Sequence, residues 1–156
     1  MISIIKDESK IKNINMSKLT MAGHSFGGIT SLEAAKALDE IKYCVSLDPW
    51  FTFIVDEIDD QKYLIPKPFT IINTYGFHHK KTMIMDFDSM KVLMKVWEQN
   101  KKPGNSNIII KNSDHAQQCD ISLLMGDSLE FYGMIPSYRK NLDIMHLSNR
   151  LMIKFL

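Results

Sequence analysis

The chain has 156 residues, 19 basic and 18 acidic side chains, a net charge of +1 and 45% hydrophobic residues. That balance excludes a disordered tail, a collagen-like rod or a low-complexity linker, and it lacks the basic face expected of a nucleic-acid binder. No apolar run reaches the roughly 18 residues needed to span a bilayer, and the opening MISIIKDESKIKN does not read as a secretory leader. The length suits one domain large enough to bury a core. The two cysteines, Cys44 and Cys119, cannot make a disulfide framework and have no metal-ligand spacing.

Short apolar runs alternate with helical stretches, the pattern of a parallel sheet with crossover helices. The first predicted strand is Lys18 to Ala22, running into Gly23-His24-Ser25-Phe26-Gly27-Gly28 and a helix over Ile29 to Leu38. A second strand, Tyr43 to Leu47, ends at Asp48-Pro49-Trp50, and a third spans Phe69 to Asn73 after Ile65-Pro66-Lys67-Pro68. A fourth, Asn107 to Lys111, follows the Pro103-Gly104 turn signal and delivers Asp114-His115. Between the third and fourth strands, Asp86 to Glu98 predicts a helix whose core stripe is Met90, Leu93, Met94 and Trp97. Ile144, Leu147, Leu151 and Phe155 predict a second such stripe near the C-terminus. The apolar segment Cys119 to Tyr132 predicts a core helix on the sheet, with an interfacial lipid-contacting helix as the alternative.

Gly23-His24-Ser25-Phe26-Gly27 matches G-x-S-x-G, with a strand before it and a helix after it. In that context the string predicts a nucleophile elbow, a tight turn that lifts the serine hydroxyl above the sheet edge. Gly23 and Gly27 are expected to provide clearance, and Gly28 to let the helix approach the sheet. The backbone N–H of Phe26, one residue past the serine, is then half of an oxyanion hole at a helix N-terminus. A glycine-rich turn that merely packs is the plainer reading. A phosphate loop is excluded by the missing Lys-Ser/Thr pair and G-x-G-x-x-G spacing.

A serine hydroxyl needs a base. Of the five histidines, His24 adjoins the serine and is expected to be directed away from its hydroxyl. His78 and His79 read as part of a solvated charged loop with Lys80 and Lys81, and lack a carboxylate at metal-ligand spacing. His146 falls on the terminal helix as a surface or core-edge residue. His115 follows the last strand, where the base of an α/β-hydrolase belongs, giving the chain order Ser, Asp, His. The third strand leads to no carboxylate before Asp86, so the orienting acid is assigned to Asp48 at the end of the second strand. Asp114 adjoins the base, with its side chain expected to point away from the imidazole.

The ordered set Gly23-His24-Ser25-Phe26-Gly27-Gly28, Ser46-Leu47-Asp48-Pro49-Trp50, Ile65-Pro66-Lys67-Pro68, Asp114-His115 with Asp120, and Leu147-Ser148-Asn149 resembles the platelet-activating factor acetylhydrolases. These are the plasma and intracellular type II enzymes, also called lipoprotein-associated phospholipase A. The resemblance implies calcium-independent hydrolysis of a short or oxidised sn-2 acyl chain of a glycerophospholipid, without cofactor or metal. It places the triad at Ser25, Asp48 and His115, the oxyanion donor at Phe26, and substrate-lining positions at Trp50 and His24. It also implies a phospholipid substrate, peripheral lipid contact and no nucleic-acid partner. Compartment, cytoplasmic or secreted, and oligomeric state leave no signal in the sequence. The chain departs from the family at Pro49 and at Ala116-Gln117-Gln118-Cys119.

In α/β-hydrolases several strands precede the elbow, whereas 17 residues precede Lys18 here. The expectation is therefore the C-terminal half of a mostly parallel α/β-hydrolase sheet, lacking the loop that gives the second oxyanion donor. Two alternatives remain open: a carboxylesterase or dienelactone-hydrolase-like enzyme acting on soluble esters, and a catalytically silent hydrolase-fold fragment.

Overall fold

The computed structural model describes residues 15–60, 62–79, 88–125 and 138–156, with the backbone alone at 79 and 138–141. Four parallel strands, β1 (Thr20–His24), β2 (Tyr43–Leu47), β3 (Phe69–Thr74) and β4 (Ser106–Ile110), lie in the order β1-β2-β3-β4. Helix α1 (Phe26–Ala37) joins the first pair. A 3₁₀ turn (Phe51–Ile54) and α2 (Val55–Asp59) lead toward β3, and α3 (Tyr75–His79) and α4 (Ser89–Asn100) lie between β3 and β4. After a 3₁₀ turn at His115–Gln118 and a short helical stretch at 121–125, α5 (Tyr138–Phe155) closes the chain.

Because the strands are parallel, all four C-terminal ends reach one edge of the sheet. The inner strands are buried on both faces, so their apolar residues run consecutively instead of alternating with polar ones. Cys44, Phe69 and Ile71 face α1, α2 and α4, packing with Ile29, Leu32, Ile58, Val92 and Val96. Val45, Leu47, Ile72 and Ile110 face the other way, onto Ile144 and the flank of α5 formed by Leu147, Leu151 and Phe155. Each fully buried Leu, Ile or Phe contributes about 1.5–3 kcal/mol.

Several element boundaries differ from those read in the sequence. β1 runs Thr20–His24 because its register against β2, from Thr20↔Tyr43 to His24↔Leu47, carries pairing right up to the serine. Helix α1 starts at Phe26, immediately after the turn, three residues before its predicted start. The stripe predicted for α4 is rotated. Ser89, Val92, Leu93, Val96 and Asn100 are buried, whereas Met94 is exposed. Polar Ser89 and Asn100 supply hydrogen bonds at the two ends of the buried face, a demand that hydrophobic periodicity does not register. Among the described residues of the segment expected as a core helix, Ile121, Leu124 and Met125 are exposed and Ser122 is the buried one, so the stretch 121–125 is not a core helix. Residues 126–132 of that segment lie outside the described residues.

The glycines of the elbow are not equivalent. A Cβ at Gly23 would lie 2.1 Å from the Gly27 carbonyl oxygen, and one at Gly28 would lie 2.9 Å from the Leu47 carbonyl oxygen and the Ser46 hydroxyl. A Cβ at Gly27 meets nothing within 4 Å, so the clearance expected of Gly27 is not needed. Gly23→Ala is accordingly expected to destabilise by roughly 1–3 kcal/mol or more, while Gly27→Ala is neutral or gains up to about 1 kcal/mol of helix propensity. Urea denaturation of the two variants measures the contrast, and equal losses would contradict the packing described.

Candidate active site

Ser25 sits between β1 and α1 with φ 59° and ψ −119°, a conformation L-residues rarely adopt. Such strain costs of order 1–3 kcal/mol, and four backbone hydrogen bonds hold it in place. Ser25 N–H donates to the Leu47 carbonyl at 2.8 Å, and the Ser25 carbonyl accepts from Gly28, Ile29 and Trp50 at 3.0, 3.3 and 3.1 Å. At about 0.5–1.5 kcal/mol each, these bonds outweigh the strain. The turn is thus braced from β2 and from the segment beyond Asp48, as well as from its own helix.

The turn directs the Ser25 hydroxyl at a histidine 90 residues later: Ser25 Oγ lies 2.9 Å from His115 Nε2. His115 Nδ1 in turn lies 3.1 Å from Asp48 Oδ2. Asp114 holds the histidine backbone, accepting from His115 N–H at 2.9 Å and closing a capping box with Gln117. Asp114 thus caps the turn and makes its contact with the backbone of His115. Phe77 stacks on the His115 ring, with centroids 3.9 Å apart and planes 14° apart. Phe77 lies on α3, directly after β3, and carries no motif that marks it in the sequence.

Asp48 is fully buried. The Thr74 N–H donates to its Oδ1 at 2.6 Å and the Thr74 hydroxyl to its Oδ2 at 2.5 Å. Burial pushes the Asp48 pKa up, opposed by the hydrogen bond and charge of His115 and then by the Thr74 bonds. Thr74 was not singled out in the sequence. Its position, the last residue of the strand beside β2, is the signal that it could reach an acid on the neighbouring strand end.

His24 is expected to turn away from the serine, but its ring is not turned out of the site: it lies 4.4 Å from the His115 ring. Burial, then the charge of His115, holds the His24 pKa below its ordinary value, so the ring favours the neutral form. Ligand atoms of His24, Asp48 and His115 fall within 4.8 Å of one another, a spacing a cation could exploit, and the Ser25–His115–Asp48 hydrogen bonds account for it.

His78 requires correction. Instead of a solvated loop residue it is 3% exposed, on α3, with Nδ1 2.8 Å from Ser89 Oγ and Nε2 2.9 Å from Asn73 Oδ1. Its Nε2 also lies 3.8 Å from Asp48 Oδ1, a carboxylate brought near by folding that sequence spacing could not reveal. Lys80 and Lys81 lie outside the described residues, as does the His79 side chain. His146 is exposed on α5.

Phe26 is 56% exposed and meets Phe53, itself 66% exposed, edge-on at 5.6 Å, and Phe53 meets Trp50 at 5.7 Å. An aromatic wall therefore stands beside the serine. Phe26 is also the first residue of α1, where N–H groups have no intrahelical acceptor and the helix dipole favours negative charge. Burial pushes the Cys44 thiol up to about 12 and raises Cys119 as well, so neither is held as a thiolate. A cavity of about 560 Å³ lined by Lys36, Pro66, Gln99 and Lys102 opens at the opposite, N-terminal end of the strands, away from this chemistry.

A parallel sheet with a strained serine between strand and helix, and flanking helices on both faces, defines the α/β-hydrolase fold. The acylaminoacyl peptidase of Pyrococcus horikoshii shares it, with a TM-score of 0.50 at 12% identity, covering 89% of this chain and 28% of that one. The family model described as platelet-activating factor acetylhydrolase, isoform II, matches residues 6–156, and the chain belongs to that family. Platelet-activating factor acetylhydrolase from Cavia porcellus is 24% identical over 147 residues, 92% of this chain and 30% of the relative. The Canis lupus familiaris protein of the same name is 26% identical over 154 residues, 96% of this chain and 31% of the relative. The chain thus spans about 30% of the length of the curated relatives it matches.

Thr74→Val removes one donor from a buried carboxylate and is expected to lose about 1.5–3 kcal/mol at neutral pH. The Asp48 pKa is raised in the folded state, so its contribution to stability is fully present below the ordinary carboxylate range and declines as pH rises through the folded value. Losing the hydroxyl raises that pKa further. The stability gap between Thr74→Val and the unaltered protein should therefore be small near pH 3 and widen toward pH 7, as read by urea denaturation across pH. A gap independent of pH would contradict it.

Proposed function

We propose that this chain carries the nucleophile, base and acid of a serine esterase acting by acyl transfer. Ser25 Oγ attacks the ester carbonyl while His115 Nε2 takes its proton, and Asp48 holds the Nδ1–H tautomer and stabilises the imidazolium. The Phe26 N–H stabilises the oxyanion, His115 returns the proton to the leaving alcohol, and water then deacylates the enzyme with His115 again as base. The observation that carries the reading is the continuous series Ser25 Oγ–His115 Nε2 at 2.9 Å and His115 Nδ1–Asp48 Oδ2 at 3.1 Å.

The substrate reading is a short or oxidised sn-2 acyl ester of a glycerophospholipid, hydrolysed without calcium. Membership of the family and the name carried by its relatives support it, as does the wall of Trp50, Phe53 and Phe26, which suits an amphiphile. His24 borders the same site through His115. Exposed Ile121, Leu124 and Met125 supply an apolar surface for peripheral contact with lipid.

In the complete protein, Ser25→Ala is expected to lower turnover of a short-acyl phospholipid by about 10⁴-fold or more. His115→Gln should do the same, with EDTA leaving the unaltered enzyme's rate unchanged. Retained turnover in Ser25→Ala refutes the esterase reading. Preference for a water-soluble ester over the phospholipid would instead favour a carboxylesterase. For the lipid contact, Leu124→Ser is expected to reduce co-sedimentation with phosphatidylcholine vesicles several-fold while soluble-ester hydrolysis is retained. Unchanged co-sedimentation argues against that surface.

A further inference from the structure

Behind the Asp48 carboxylate, β3 continues without a break into α3, and His78 is carried into the core of the molecule. The protonation of its ring can be read from its neighbours. The Asn73 side-chain nitrogen donates to Asn107 Oδ1 at 2.7 Å and lies 3.4 Å from the Ile108 carbonyl oxygen, so that nitrogen faces two acceptors on β4. The other amide atom, Oδ1, is therefore the one facing His78 Nε2 at 2.9 Å. An oxygen there requires a proton on Nε2. The Ser89 hydroxyl, 2.8 Å from His78 Nδ1, can donate to that nitrogen, the arrangement that suits the neutral Nε2–H tautomer.

The same Nε2 lies 3.8 Å from Asp48 Oδ1. That is too long for a hydrogen bond, but it sets the positive end of an N–H dipole beside a carboxylate with no solvent exposure. In such surroundings a fixed dipole acts far more strongly than in solvent. Asp48 Oδ1 otherwise accepts from the Thr74 N–H, and Oδ2 from the Thr74 hydroxyl and His115. A leucine could fill the volume of His78. It could not hold Asn73 against β4, nor present a positive dipole to Asp48.

We infer that His78 is a positioning residue for the proposed triad: its neutral imidazole, clamped between Asn73 and Ser89, keeps the buried Asp48 carboxylate ionised and aimed at His115. The inference rests on the esterase reading, and it assigns no contact between His78 and substrate.

The complete protein is tested with a fluorophosphonate probe and a short-acyl ester, alongside His78→Leu and His78→Gln. The glutamine amide can reproduce the Nε2–H donor toward Asn73, which leucine cannot. His78→Leu is expected to lower kcat and the rate of Ser25 labelling by roughly 30-fold with KM unchanged, and His78→Gln to recover to within about fivefold of the unaltered enzyme. Equal rates in all three proteins, or equal losses in both variants, would overturn the inference. Should His78→Leu fail to fold, imidazole ¹⁵N spectra of the unaltered protein decide. The Nε2–H tautomer at neutral pH is expected for His78, and an Nδ1–H or cationic ring overturns the assignment. Absence of labelling in the unaltered protein would instead strike the esterase reading, and the inference with it, so the two failures are told apart by which protein shows them.

Discussion

Asp48 is where the molecule concentrates its electrostatic liability. Its carboxylate has no solvent exposure, and an ion in that position carries a penalty of several kcal/mol even after relaxation. Three donors converge on two oxygens, the Thr74 N–H and hydroxyl and His115 Nδ1. Hydrogen bonds to a charged group are worth about 1.5–3 kcal/mol each, enough together to offset most of the penalty. The bonds fall short of the full penalty, consistent with burial outweighing them in the direction of the Asp48 pKa. The stability that tolerates this comes from the apolar layers on the two faces of β2 and β3, which lie behind the carboxylate and contain none of its partners.

The constraint on Ser25 has the same character. Its positive φ is held by hydrogen bonds from three separate segments, β2, α1 and the start of the loop after Asp48. Trp50 N–H bonds the serine carbonyl at 3.1 Å, so the elbow and the acid-bearing turn are mechanically one unit. Asp48 itself has a positive φ of 42°, and its N–H reaches across to the Ile72 carbonyl at 3.2 Å. Displacing β3 would therefore disturb the acid, and through Trp50 the serine. The parallel topology makes this possible, because it delivers both turns and His115 to the same edge.

Local signals made parts of this legible in the sequence. Tyr43–Leu47 is apolar on consecutive residues between turn-forming stretches, and the strand has those limits. The elbow string is short-range and carries its own glycines, although only Gly23 and Gly28 meet the close approach that glycine permits. What escaped depends on partners distant in sequence. Helix α4 buries a face one step around from its most hydrophobic stripe, since Asn100 must satisfy Ile65 N–H at 2.7 Å and the Tyr63 carbonyl at 2.7 Å. Thr74 is the last residue of β3, Phe77 and His78 lie on the short helix that follows it, and none belongs to a motif. Their contacts with Asp48 and His115 arise across 26 to 38 positions of chain. His78 beside His79 and two lysines has the local composition of a surface loop, and no periodicity marks it as buried.

Near Asp48, then, two histidines stand in contrasting situations. His115 is in hydrogen-bond contact with the serine hydroxyl and the carboxylate and keeps a partly exposed ring, stacked on Phe77. His78 is enclosed, held at both nitrogens, and 3.8 Å from the other carboxylate oxygen. A base must gain and lose a proton within each turnover, which needs access and a ring free to carry charge. A ring clamped between an amide oxygen and a hydroxyl can do neither readily, but it presents a constant dipole. Burial and hydrogen bonding together separate the two: in the proposed esterase the partly exposed ring is the one suited to move protons, and the enclosed ring the one suited to hold the field in which they move.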